Sequence, residues 1–422
     1  MSSSKFDRSR RNLLALGSAG IGAALLGRWL GSARDAEAAE PKIAPAKSCI
    51  VLWMQGGPSH VDTFDPKAKS LGPGKDRATR AAGVRISEHL PLLADRMDKV
   101  ALIRGMTSKE GNHQRAQELA HTGHVPNPTV AAPSLGAWVL HDRGPNKLDI
   151  PSFVSLGGLS HGGGFFGSAH DPFVVQQPGS LPQDLAPARA VVSGRQTSRR
   201  SLLSSFDRTF AERVGDARAK ARIDLYGRAD AMMKSPAVGA FDVSNETEAV
   251  RAAYGDTDFG RGCLVARRLV EVGVPFIEVT LDGWDTHEDN FDRTKKLMGT
   301  FDPAMSTLIA ELDGRGLLDS TLVVWMGEFG RTPRINGREG RDHYPAAFSV
   351  AVAGAGVRGG TVLGETDEEG AKVVKGAVTV PDLLATLGKR MGVDQNDVEF
   401  TPQGRPINPT QDGAKQIEGL FS

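Results

Sequence analysis

The sequence predicts an α/β fold: a doubly wound, mainly parallel sheet with helices on both faces and a Gly-rich, helical insertion. Three observations predict it. Short apolar runs of strand length alternate with longer segments of helical pattern, as in chains that wind a parallel sheet. The runs at residues 49–54 and 321–326 are apolar and of strand length, and residues 274–281 read as a third strand. Two of these runs lead directly into loops rich in glycine, carboxylates and histidine, and such loops line the ligand crevice of an open α/β sheet.

The chain has 422 residues, a length that fits two or three domains and equally one large α/β domain with insertions. Ser9-Arg10-Arg11-Asn12-Leu13-Leu14 is a twin-arginine pattern, followed by an apolar stretch at residues 13–26 and Ala36-Glu37-Ala38-Ala39. This order matches a basic region, an apolar region and a cleavage site, so residues 1–39 are expected to be an export signal. The expected destination is periplasmic or extracellular. Arg28 and Arg34 interrupt the apolar run, which falls short of the roughly 20 residues that span a bilayer. No stable membrane span is therefore expected after signal removal. Residues 40–47 read as a linker, and residues 48–422 as a single domain.

Within it, residues 49–54 read as a buried strand ending in Gly56-Gly57-Pro58, and residues 100–103 as a second strand. Helices are expected at residues 113–120, with Asn112 as N-cap, and at 134–141. From about residue 151 to 239 the character changes. Residues 157–167 are a Gly-rich loop, and residues 202–234 are polar and helical, so this region reads as the insertion. Helices follow at 246–253 and 262–272, then a strand at 274–281. An amphipathic helix is expected at 303–315, strands at 321–326 and 347–353, and a last helix at 381–391 with proline at its start.

Net charge is +1, which gives no global electrostatic case for nucleic acid. Only Cys49 and Cys263 are present, so no disulfide framework exists and two buried thiols are expected.

Three C-terminal runs carry candidate chemistry: Gly283-Trp284-Asp285-Thr286-His287, Gly327-Glu328-Phe329-Gly330-Arg331 and Gly340-Arg341-Asp342-His343-Tyr344. Carboxylate and imidazole together suit Zn, Mn or Fe. Asp285, His287, Glu328 and His343 are the candidate metal ligands, with Asp282 and Asp342 beside them. The bland alternative for Asp282-Gly283 is a turn. Ser59, His60 and Asp62 form a polar cluster after the first strand, although Ser-x-x-Asp is also a cap pattern. His113 and Arg115 open a helix, where backbone N–H groups favour anions. His121-Thr122-Gly123-His124 lacks the spacing of a helical zinc pair and reads as loop structure. Gly354-Ala355-Gly356-Val357-Arg358-Gly359 matches a dinucleotide fingerprint by letters, but no helix pattern follows.

Residues 56–67, 283–290 and 327–333 resemble the exported domain-of-unknown-function family 1501, across nearly all of residues 48–420. More distantly, residues 301–331 and 379–393 resemble the alkaline phosphatase and sulfatase superfamily. This resemblance implies an alkaline-phosphatase-like fold with metal sites at strand ends. The superfamily's first metal Asp falls near Gln55, its Asp-His pair on Glu328-Phe329, and its nucleophile around Asn112-His113. Asp285 and His287 resemble its Asp-x-x-x-His pair with altered spacing, and His343 stands for the late His. The implied activity is hydrolysis of phosphate or sulfate esters. One divalent metal would be bound, and His113, Arg115 and Arg331 would face the oxyanion of an anionic small molecule or polymer. The departures keep a second reading open: a non-catalytic exported module that binds a ligand or partner in the same crevice.

Overall fold

The computed structural model describes residues 44–70, 72–144, 149–182, 185, 193–214 and 217–422. The twin-arginine segment lies outside the described residues. Residues Pro45–Ser422 form one compact unit.

Its centre is a nine-stranded sheet. The strands are β1 (Ser48–Met54), β2 (Val100–Thr107), β3 (Phe153–Leu156), β4 (Phe173–Val175), β5 (Phe276–Leu281), β6 (Thr321–Met326), β7 (Phe348–Ala353), β8 (Val362–Leu363) and β9 (Val378–Thr379). They lie in the order β8-β2-β7-β6-β1-β5-β3-β4, with β9 also paired to β2. All pairings are parallel except those of β7, which runs antiparallel to β2 and β6.

Alternation along β1 shows why the middle strands are apolar throughout. Ile50, Leu52 and Met54 face one core, and Cys49, Val51 and Trp53 face the other. The helices are α1 (His113–Thr122), α2 (Leu135–Arg143), α3 (Ser193–Val214), α4 (Ala217–Lys234), α5 (Glu248–Tyr254), α6 (Asp258–Glu271), α7 (Asn290–Gly314) and α8 (Val380–Met391). Leu264, Leu269, Met305 and Leu308 of α6 and α7 fill the first core. Leu119, Trp138 and Leu384 of α1, α2 and α8 fill the second. The expected α/β architecture, with helices on both faces of a mainly parallel sheet, is the observed one. Both cysteines are free and buried.

Four local expectations differ. The region expected as insertion from about residue 151 contributes β3 and β4 to the central sheet. These strands are too short to show a period. The helical stretch in that region is two helices, α3 and α4, rather than one. Helix α7 starts thirteen residues before Pro303 and runs through it. A proline inside a helix removes one backbone hydrogen bond, but Phe301, Ala304, Met305 and Leu308 bury this face. His121 belongs to the last turn of α1 rather than to a loop.

Candidate metal centre

Strands β1, β2, β5 and β6 are parallel, so the loops that follow them emerge on one edge of the sheet. The loop after β2 delivers His113 at the start of α1, capped by the Asn112 side chain. The loop after β5 carries Asp285 and His287. After β6, Gly330–Arg331 pairs with His343–Tyr344 as a small antiparallel ribbon, which brings His343 back to the same edge.

Two glycines allow the loops to meet. Gly56 has φ +113°, and a Cβ there would lie 2.3 Å from the Asp285 nitrogen. A Cβ on Gly340 would overlap the His287 carbonyl.

His113, Asp285 and His343 offer ligand atoms that all lie within 4.8 Å of one another. Asp285 Oδ1 is 3.4 Å from His113 Nε2, 3.4 Å from His343 Nε2 and 3.2 Å from His287 Nε2. His287 Nε2 is 3.0 Å from His343 Nε2. Donor atoms about 2.1 Å from a shared ion sit roughly 3.0–3.4 Å apart, by the geometry of Zn–N and Zn–O bonds.

Each imidazole is held from its other nitrogen. His113 Nδ1 donates to Glu328 Oε1 at 2.8 Å, His287 Nδ1 to Asp342 Oδ1 at 2.8 Å, and His343 Nδ1 to the Gly111 carbonyl at 2.8 Å. These acceptors fix the tautomer, so in each neutral ring the lone pair is on Nε2, which points inward. His113 Nε2 is buried without a hydrogen-bond partner. Phe329 packs against His113 and His343, with ring centroids 5.0 and 4.7 Å away, and forms an apolar wall.

The electrostatics follow from these partners. The hydrogen bond to Glu328 raises the His113 pKa above its ordinary value, against burial. Burial lowers that of His343, and the Arg331 charge adds to this. Burial pushes Asp285 up, but the Arg331 hydrogen bond and charge outweigh it and hold the carboxyl below its ordinary range.

The structure places the remaining candidates differently. Glu328, expected as a ligand, is buried behind His113, where its Oε1 also accepts from the Gly56 backbone N–H at 2.9 Å. Arg331, expected to face an oxyanion, is fully buried. Its guanidinium donates to Asp285 at 2.5 Å, to the Gly57 carbonyl at 3.0 Å, to the Arg341 carbonyl at 3.1 Å and to the Gly56 carbonyl. Arg115 is exposed and pairs with Glu110 at 2.7 Å. Asp342 sits behind His287. Asp282 is exposed and accepts from the Gly283 N–H in its own turn.

Asp62 is buried in a bidentate pair with Arg341, at 2.7 and 3.0 Å, and accepts from Asn290. His60 is buried against the Gly370 carbonyl, and Ser59 is buried too. Asp62 and His60 thus tie the loop after β1 to later segments of the chain. Sequence reasoning missed Gln117 and Asn336, and it gave Arg341 no role. Gln117 reaches Glu328 at 3.4 Å, and Asn336 donates to Asp342 and to the His287 carbonyl. Gln117 lies four residues after His113 on α1, a spacing that could have indicated a shared face.

The sequence model of a family described as "Protein of unknown function (DUF1501)" matches residues 46–421. No curated protein matches the chain. Among solved structures, it is similar to a putative sulfatase from Bacteroides thetaiotaomicron, at 11% identity over 89% of this chain and 76% of that one, with a TM-score of 0.43. A TAB5 alkaline phosphatase mutant with Mg bound is similar at 12% identity over 84% of this chain and 100% of that one, with a TM-score of 0.42. PsFucS1 sulfatase from Pseudoalteromonas sp. is similar at 14% identity over 83% of this chain and 68% of that one, with a TM-score of 0.38.

Proposed function

The chain belongs to the DUF1501 family of proteins of unknown function, and within that family we propose that it is an exported metal-dependent hydrolase of phosphate or sulfate esters. In this reading His113, Asp285, His287 and His343 hold one divalent ion. The observation that carries the metal is the 3.0 Å approach of His287 Nε2 to His343 Nε2 beside the Asp285 carboxylate. Both Nδ1 atoms already donate, so in the neutral rings two lone pairs face each other, an approach that a cation between or beside them would relieve. A proton is disfavoured on His343, whose pKa burial lowers. The donor set, imidazole with one carboxylate, suits Zn, Mn or Fe.

When bound, such an ion supplies Lewis acidity toward an ester oxygen. The protein's own groups prepare for it. Arg331 keeps Asp285 ionised. Glu328, Asp342 and the Gly111 carbonyl hold the three rings in place. Phe329 excludes water from one side. Export through the twin-arginine route belongs to the same proposal, and it rests on Arg10-Arg11 and the apolar stretch after them.

One observation favours the second reading, a ligand- or partner-binding module. The guanidinium of Arg331 is turned onto Asp285 and backbone carbonyls, and Arg115 is paired with Glu110. An anionic substrate would therefore meet the histidines and any bound ion without arginine help.

Metal analysis of the purified protein and of His343→Ala, followed by a screen of phosphate and sulfate esters, separates these outcomes. The expected result is one ion per chain, lost in the variant, with ester turnover lost in parallel. Bound metal with no turnover of either ester class leaves the binding module. Absence of metal after incubation with Zn, Mn and Fe(II) overturns the metal centre itself.

A further inference from the structure

The helical pair α3–α4 carries a surface that the metal centre does not explain. On α3, Leu202, Leu203, Phe206 and Phe210 are 60%, 38%, 65% and 55% exposed. Leu202, Phe206 and Phe210 recur every fourth residue and so stack along one face, which Leu203 widens. Arg195 and Arg199 precede this stripe and Arg213 follows it within a turn. All three are exposed and have no ion pair among the described residues. The helix is held from another side, where Arg200 pairs with Asp230 and donates to Met233 Sδ at 3.0 Å. Residues 193–234 contain ten Lys and Arg against five Asp and Glu, in a chain whose net charge is only +1.

We infer that this face of α3 lies on an anionic lipid surface. An apolar centre with arginines at both ends is the chemistry of a helix in the plane of a bilayer interface, where the aromatic and aliphatic groups enter and the guanidinium groups meet phosphates. No helix among the described residues, α3 included, is long and apolar enough to cross a membrane. A second copy of the chain fits less well. Because both ends of the stripe are basic, either orientation of a paired α3 sets arginine against arginine. The inference is independent of the metal centre.

The test uses the full chain with an environment-sensitive fluorophore on Phe206→Cys. Cys49 and Cys263 are buried and do not compete for label. A label on Arg208→Cys, which projects from a different side of α3, is the control. Circular dichroism of each labelled protein checks that the fold is kept. With phosphatidylglycerol-containing vesicles, emission from position 206 should shift to the blue while that from 208 does not. The lipid concentration for half the shift should rise about tenfold or more in R195Q/R199Q/R213Q, since each basic group near an anionic surface contributes about 1 kcal/mol. Three results would overturn the inference: no shift at 206 in protein that co-sediments with the vesicles, an equal shift on pure phosphatidylcholine, or a concentration-dependent shift without lipid, which would indicate self-association.

Discussion

Glu328 shows how one buried carboxylate can set a neighbour's chemistry without touching the ion. Its Oε1 accepts from His113, the Gly56 N–H and Gln117. Glu328→Gln retains an acceptor oxygen in the same place and removes the charge. The His113 pKa, raised chiefly by the bond to Glu328, should then fall, which NMR titration of the metal-free protein would detect. Metal affinity should drop about 10- to 100-fold, the usual effect of losing a group that orients a ligating histidine. Unchanged affinity would mean that His113 does not bind the ion. The sign of the stability effect follows from linkage. A histidine with a raised folded pKa stabilises the fold fully below its unfolded value, near 6.5, and that contribution is lost as pH climbs through the folded value. In Glu328→Gln this part of the pH dependence should disappear. The sequence made His113, Asp285, His287, Glu328 and His343 visible as candidates, because these residue types stand out after apolar runs. It did not show that His113 belongs with Asp285, since the two lie on different strand-end loops far apart in the chain. Nor could spacing show that Glu328 lies behind a histidine, because that depends on the side from which the carboxylate approaches.

Among the elements, the loop after β1 is the one whose geometry admits least change. Gly56 combines a positive φ with a Cβ position 2.3 Å from the Asp285 nitrogen, whereas Gly83, at φ +78°, faces open space. Both positions carry the backbone cost of a side chain at positive φ, about 1–3 kcal/mol. Only Gly56→Ala must also push the 284–285 backbone away. Gly83→Ala should therefore lose a modest amount of stability and bind metal as wild type does. Gly56→Ala should lose more stability and at least about tenfold in metal affinity, through displaced Asp285. Urea unfolding with parallel metal titrations checks this, and equal metal affinity in the two variants would refute it. Long buried strands such as β1 and β6 are legible because nearly continuous apolar runs lead into glycine. β3 and β4 are not, since strands of four and three residues display no period and depend on neighbours for their pairing. For helix α7 the amphipathic pattern predicts only residues 303–315, and a proline at that point suits a helix's first turn. The buried face around it, which lets the helix continue on both sides, is a tertiary fact.

Across the whole molecule, helix α1 links the strand-end centre to a second buried polar group beneath the sheet. His113, Gln117 and His121 follow one another at four-residue intervals. His121 donates from Nδ1 to the Gln117 carbonyl at 2.8 Å, and its Nε2 lies 3.1 Å from Glu278 Oε2 on β5. Glu278 is 1% exposed, so this pair is buried inside the second layer. His161, from the loop after β3, sits beside His121 with ring centroids 4.8 Å apart. Burial pushes the His121 pKa down, but the Glu278 charge and hydrogen bond more than reverse this, and the net shift is upward. His161 goes the other way: burial, with the His121 charge added, lowers it to about 3. The two therefore act oppositely on stability. The His121 contribution is full below pH 6.5 or so and fades as pH rises through its folded value. His161 is favourable only while neutral, so stability is lost as pH falls below about 6.5. At about 1.4 kcal/mol per pH unit, the loss from His161 alone approaches roughly 3 kcal/mol at pH 4. His161→Gln removes that titration and leaves the His121–Glu278 pair in place. Its urea midpoint should then fall less between pH 6.5 and pH 4 than that of the wild type. Parallel midpoint curves for the two proteins would show that His161 is protonated as freely in the folded chain as in the unfolded one, and that the buried pair exerts no hold on it.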